Sequence, residues 1–177
     1  GDYRGRGGIQ LWLSTTLPYG TSGHTTHKFS PSHIRILHQD TRRLFVRIHA
    51  PHCKLVIFTG HAPDSSYDEQ HRHTWWTTTD KYITKYKPHV WLIDANAHVG
   101  TLLSDSIGDA PPIEQEDDNG NQLHICALSH EMRITNTFHH SKDAWTHQSA
   151  NGDRTRIDYN VACEWLHNLV TKHHIID

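Results

Sequence analysis

Apolar positions along the chain fall into short runs, and their spacing predicts the elements. HIRILH (33–38) and RLFVRIH (43–49) set apolar against polar side chains and predict two strands joined as a hairpin across the QDT turn. KLVIFTGHAP (54–63) is more continuously apolar, the pattern of a strand buried on both faces, and it breaks off at Gly60, His61, Ala62 and Pro63. GGIQLWLS (7–14) places bulky apolar residues after a Gly pair and predicts another strand, whereas the following stretch to Ser32 is rich in Ser, Thr, Gly and Pro and reads as a loop.

From Ser65 the period changes from two to between three and four. Ser66 and Glu69 have capping-box spacing, lysines fill the last turn, and Pro88 ends the helix. Tyr67, His71, Trp75, Tyr82 and Tyr86 are expected to share the face turned to a sheet. VWLID (90–94) is a short strand with Asp94 at its C-terminal end, and Gly100 permits a turn after it. A long loop follows, whose acidic run Glu114 to Asp118 reads as a solvated surface. GNQLHICALSHEM (120–132) predicts a second helix, with Leu123, Cys126, Ala127 and His130 on one side. RITNTF (133–138), DAWTHQ (143–148) and TRIDYNVAC (155–163) are three more strands, the last two linked by the turn SANGD.

Strands, helix, strand, helix, strands is an order in which helices cover sheets without alternating with every strand. It predicts an α/β architecture, a two-sheet β-sandwich flanked by helices, in a single domain spanning 1–177. Only 35% of the 177 residues are hydrophobic, and mean hydropathy is −0.68, so the core is lean. No run of about 20 apolar residues exists to cross a membrane, and the opening GDYRGRGG carries no secretory pattern. That opening lacks an initiator Met, so the chain is expected to be part of a longer one.

A net charge of −2 gives no global basic field to draw in nucleic acid non-specifically. Cys53, Cys126 and Cys163 match neither a disulfide framework nor a Cys-x-x-Cys motif, which points to a reducing compartment, nuclear or cytoplasmic. Nineteen histidines outnumber the 17 Lys and Arg together, yet their spacing supplies no defined metal motif.

Strand ends gather ligand sites in open α/β sheets, and three of them carry chemistry here: His61, then Asp94 and Asn96, then Asp158 in TRIDYN. An Asp can take a proton from water or hold a hard cation, and an Asn can orient a phosphate oxygen without adding charge. Each also has a plain structural role, as a turn residue or, for Asp158, as a partner for Arg156.

Taken in order, GRGGIQLWLS, FTGHAP, WLIDANAHVG, ITNTF and AWTHQSANGDRTRIDYNV resemble successive blocks of the endonuclease/exonuclease/phosphatase superfamily. The resemblance, from about Gly5 to Val161, is to its non-LTR (LINE-type) retroelement endonuclease domains and the related craniofacial-development-protein-like sequences. It implies a DNase I-like four-layer sandwich and a Mg²⁺- or Mn²⁺-dependent phosphodiesterase acting on nucleic acid, DNA foremost, with a reverse transcriptase domain as a neighbour in the parent chain.

On that resemblance Asp94 orients or deprotonates the attacking water, and Asn96 contacts the scissile phosphate, both lying by the metal. His61 stands where the family has a phosphate-binding Tyr, and Asp158 matches an Asp that holds a catalytic His. Ile93 replaces a Gly. The family's metal-binding Glu belongs upstream of the first block, and its closing Ser-Asp-His block downstream of the last. His173-His174 does not match that block, so the domain is expected to be truncated at both ends. The alternative is a non-catalytic, decayed or domesticated copy acting as a nucleic-acid or protein-binding module.

Overall fold

A computed structural model describes residues 8–100, 102–139 and 144–170. His140, His173 and His174 lie outside these residues, as do the first residue of the stretch 7–14 and the start of DAWTHQ.

The centre is one six-stranded mixed sheet. Its strands in chain order are β3 (Ile34–Gln39), β4 (Arg43–Ala50), β5 (Cys53–His61), β6 (Val90–Asp94), β7 (Met132–Ile134) and β10 (Asp158–Cys163). Across the sheet they run β3-β4-β5-β6-β10-β7, and only β5 and β6 are parallel. A parallel pair needs a crossover, and α1 (Glu69–Tyr86) supplies it. The remaining elements are the hairpin β1 (Pro18–Ser22) and β2 (Thr25–Lys28), helix α2 (Asp118–Ser129), the short pair β8 (His147–Gln148) and β9 (Arg154–Thr155), and a terminal turn of helix, α3 (Glu164–His167).

The two faces of the sheet are covered differently. On one, Phe45, Phe58, Trp91, Ile93, Tyr159 and Val161 pack against Trp75, Trp76 and Ile83 of α1 and Leu123 and Ala127 of α2. On the other, Leu44, Val46, Ile48 and Ile57 are covered by Ile9, Leu11, Leu13, Tyr19 and Phe29. The expected α/β combination of sheets and helices is present, with two separate two-stranded sheets, β1–β2 and β8–β9, beside the six-stranded one.

Several local expectations change. Residues 8–14 lie along the sheet face without joining a ladder, while the stretch expected to be a loop forms β1 and β2, closed by Gly23 at φ 59°. Helix α1 is capped by Asp68, whose carboxylate accepts from the His71 N–H at 2.7 Å; Ser66 turns back to Asp64. Its inner face is therefore Trp75, Trp76, Thr79 and Ile83, flanked by Tyr82 and Tyr86, and Tyr67 and His71 stay exposed. RITNTF is strand only to Ile134 and then a 3₁₀ turn, and DAWTHQ narrows to His147–Gln148.

The acidic run is partly structural. Asp117 is the N-cap of α2, and the same carboxylate oxygen accepts from Gly120 N–H at 2.7 Å and His98 N–H at 3.2 Å. Helix and loop approach so closely that a Cβ on Gly120 would stand 1.9 Å from the His98 carbonyl oxygen, so any side chain there forces them apart. Beside it Asn119, buried, accepts from the Trp76 indole at 3.0 Å and donates to the carbonyls of Pro63 and Asn96 at 2.9 and 3.0 Å. One side chain thus ties α1, α2 and the segments that follow β5 and β6.

Asn119→Ala leaves an indole N–H and two carbonyls without that partner, each buried polar group costing about 1–3 kcal/mol. Urea denaturation is expected to show a loss of about 3 kcal/mol with an unchanged m-value; a loss below about 1 kcal/mol would contradict this role.

Candidate active site

Strand register assembles the site. His61 pairs with Asp94 across the parallel β5–β6 ladder, and Asp158 pairs with Asp94 across the antiparallel β6–β10 ladder. Side chains alternate along a strand, so register partners emerge on the same face. Trp91, Ile93, Tyr159 and Val161 point toward the helices; Asp94, Asp158 and His61 therefore stand in one row on the opposite face.

There they line a cleft of about 520 Å³, with Leu92 and Ile93 along its β6 side and Gly8, Ile9 and Gln10 as another wall. Leu92, 38% exposed, lies open on this cleft.

Within the row, His61 Nε2 lies 3.6 Å from Asp94 Oδ2, a separation at which imidazolium and carboxylate form an ion pair. The other Asp94 oxygen accepts from the Asn96 N–H at 3.2 Å. Both side chains are more than a third exposed, which leaves them open to a ligand. Asp158 is more enclosed. Burial pushes its carboxyl above the usual carboxylate range and the negative charge of Asp94 adds to that, against the Thr146 hydroxyl and the nearby His147 and His61.

Asn96 is placed differently from the other three. It holds a left-handed conformation, φ 45°, and its side-chain amide donates to the Ala62 carbonyl at 2.9 Å. It lines a separate hollow with Ser65, Arg72 and Asn119, apart from the cleft that holds the row. Sequence order thus brings His61, Asp94 and Asp158 together and sets Asn96 behind Asp94 as a brace between two loops.

The plain alternative for Asp158, a pair with Arg156, does not form. Arg156 is buried and donates to the carbonyls of Asn136 at 2.8 Å and Pro112 at 3.0 Å, so its charge is spent on loop backbone.

Three residues beside the row are not singled out by the sequence. Thr146 accepts from the N–H groups of both Ile157 and Asp158 at 3.0 Å and fixes the start of β10. Asn136, buried, donates to the Asp158 carbonyl at 3.0 Å and accepts from Asn160 N–H at 3.3 Å. Both lie in quoted blocks, ITNTF and AWTHQ, so their neighbourhood is visible in the sequence although their tasks are not. Gln10 enters from a segment read as strand.

Carboxylates from two adjacent strands, set in register on one open cleft, offer the hard oxygen donors that a small divalent cation takes. Burial raises Asp158 most and the charge of Asp94 adds to it, and a cation between them would relieve that added repulsion. Asp94 and Asp158 offer two such carboxylates, and Asn96, whose amide nitrogen is bonded to Ala62, could offer a cation only its side-chain oxygen.

Neither the protein-family models nor the curated proteins contain a match to this chain. Solved structures do. The endonuclease domain of TRAS1, a telomere-specific non-LTR retrotransposon, superposes with a TM-score of 0.53 at 14% identity over 86% of this chain and 68% of that one. The 3′ phosphatase NExo from Neisseria, bound to a product DNA hairpin, gives 0.53 at 8% identity over 81% of this chain and 62% of that one. The chain shares its fold with these two structures. This chain spans about two thirds of the length of these two structures.

The raised Asp158 carboxyl has a defined consequence for stability. A carboxyl held above its unfolded value, about 3.9, binds its proton more tightly in the folded state. The destabilisation is absent below the unfolded value, develops as pH rises through the folded one, and is complete at neutral pH. Asp158→Asn is therefore expected to raise the melting temperature at pH 7, by an increment that shrinks toward about pH 4. An increment that stayed constant over that range would show that Asp158 carries no such penalty.

Proposed function

We propose that the chain belongs to a divalent-metal-dependent phosphodiesterase that hydrolyses nucleic-acid backbones, DNA foremost. The observation that carries this reading is the in-register row His61–Asp94–Asp158 on an open cleft, in a fold shared with an endonuclease domain and a DNA-bound 3′ phosphatase.

The roles follow from what each group can do. Asp94, exposed at the strand end, accepts the proton of a water aimed at phosphorus; a new P–O bond forms as the ester P–O bond on the opposite side breaks. His61 donates a hydrogen bond to a non-bridging oxygen, more strongly as imidazolium paired with Asp94. Asp158 keeps a second negative group beside Asp94, positioned through β10 by Thr146 and Asn136. Asn96 sets the Asp94 carboxylate through its backbone N–H and secures Ala62, next to His61. Mg²⁺ or Mn²⁺ held by Asp94 and Asp158 would supply positive charge for the phosphoryl oxygens that become more negative in the transition state.

A second reading has its own observation. The Asn96 amide is committed to Ala62, where the resemblance expects a phosphate contact. That arrangement also suits a non-catalytic module that binds nucleic acid or protein.

Supercoiled plasmid incubated with Mg²⁺ or Mn²⁺ separates the two. The catalytic reading expects nicking, lowered roughly a hundredfold by Asp94→Ala and by His61→Ala, with a smaller loss for Asn96→Ala as a brace. Absence of nicking with either metal, or nicking that persists unchanged in Asp94→Ala, overturns it in favour of the binding module.

A further inference from the structure

A second cluster of ligand atoms lies on the opposite face of the sheet, between the two helices. Cys126 and His130 are one helical turn apart at the end of α2, a spacing that puts both side chains on one face. Asp80 meets them from α1. His130 Nε2 is 2.7 Å from Asp80 Oδ1, and Cys126 Sγ is 3.7 Å from the same oxygen. One ligand atom from each of the three lies within 4.8 Å of the others.

We propose that Asp80, Cys126 and His130 form a zinc site with three protein ligands and an open fourth position, distinct from the cleft at Asp94.

Donor chemistry favours a borderline-soft ion. A thiolate selects zinc-class metals over Mg²⁺ or Ca²⁺, and imidazole and carboxylate complete a ligand set zinc accepts. Charge also favours it: one thiolate and one carboxylate balance a divalent cation at a half-buried position. Without a cation the buried thiol faces the Asp80 carboxylate. In the bound state the metal replaces the thiol proton, which is released, and the neutral imidazole gives its Nε2 lone pair to the metal with its N–H on Nδ1.

Geometry requires little movement. Zinc–ligand distances of about 2.0–2.3 Å in a tetrahedron separate ligand atoms by roughly 3.3–3.6 Å. The sulfur–oxygen pair, at 3.7 Å, is within roughly 0.1 Å of that range, and the nitrogen–oxygen pair, at 2.7 Å, must open by roughly 0.6 Å. The Asp80 side chain, 48% exposed, has room to move. His130 is held by the edge of the buried Trp91 ring, 6.3 Å away at 75°, so its orientation is set from the sheet side. The partial exposure of Asp80 and His130 leaves the fourth position to water.

The many histidines make bulk zinc uptake uninformative, so the test reads the sulfur. Co²⁺ added to the intact chain at one equivalent is expected to give tetrahedral d–d bands and a thiolate-to-cobalt charge-transfer band, both displaced by Zn²⁺. Cys126→Ser should abolish the charge-transfer band, while Cys53→Ser with Cys163→Ser should leave it. Asp80→Asn, at a half-exposed position, and His130→Gln should each weaken Co²⁺ at least tenfold, and affinity should fall as pH drops and protons compete. Absence of the band, its survival in Cys126→Ser, or unchanged affinity in both Asp80→Asn and His130→Gln would overturn the proposal and leave the trio as a helix-to-helix ion pair. Plasmid nicking plays no part in this readout, so it stands or falls apart from the reading of the cleft.

Discussion

The Asn119 side-chain amide is the point on which the rest of the architecture turns. A buried amide must place both its oxygen and its nitrogen, and this one does so on three different elements: the Trp76 indole, the Pro63 carbonyl and the Asn96 carbonyl. The carbonyls belong to the segments leaving β5 and β6, the same two strand ends that present His61 and Asp94. Strand ends are where a sheet stops dictating backbone direction. Here the direction is dictated instead by an amide in the helix layer, reinforced by Asp117 bonded to His98 N–H and by the close approach of Gly120 to the same residue. Chemistry on one face of the sheet is thus anchored from the other.

That division of labour follows from strand alternation. Trp91 and Ile93 commit one face of β6 to the helices, which leaves Val90, Leu92 and Asp94 to the other. β5 and β10 obey the same rule, so a shift of one residue in either ladder would bury Asp94 or Asp158 in the aromatic core. Core packing and site assembly are therefore one constraint. The penalty of placing two carboxylates in register appears where burial is greater, at Asp158, while Asp94 keeps its solvent access and a histidine beside it.

Much of this is legible in the sequence, and the limits have identifiable causes. Strands 33–38, 43–49, 54–63 and 90–94 announce themselves through alternation or continuous apolar runs, and the ends of two of them give His61 and Asp94. The hairpin at 18–28 is not legible because its strands are polar and exposed: its residues satisfy backbone groups more than they fill a core. The register of α1 is easily misread because Tyr67 and His71 share the period of the buried aromatics yet flank the Asp68 cap, where the helix has only begun. Asp117 looks like one acid in a solvated run, since capping depends on where a helix starts and composition does not reveal it. Asn96 is assigned to the phosphate by resemblance, and its bond to Ala62, 34 residues away, is a long-range contact that spacing does not reveal. Arg43 is equally hidden: it is buried against α1, bonded to Thr79 at 2.8 Å and to Asp40 at 2.7 Å, although in the sequence it reads as the first polar residue of an ordinary hairpin strand.

The two faces also differ in the kind of cation each can attract, and the difference is physical. At the cleft the donors are carboxylates at strand ends, partly wet and repelling each other, which suits a hard ion that retains water and binds phosphate oxygens in the same shell. Between the helices the donors include a buried thiol, and softness with a dry sulfur suits a zinc-class ion that needs no substrate to complete its charge balance. Strand β6 runs between them, with Trp91 pressed on His130 at its start and Asp94 open at its end. The first residues of this strand are packed against the helix layer, and its last residue, Asp94, lines the open cleft. The order of VWLIDAN, apolar first and ionisable last, follows from that placement.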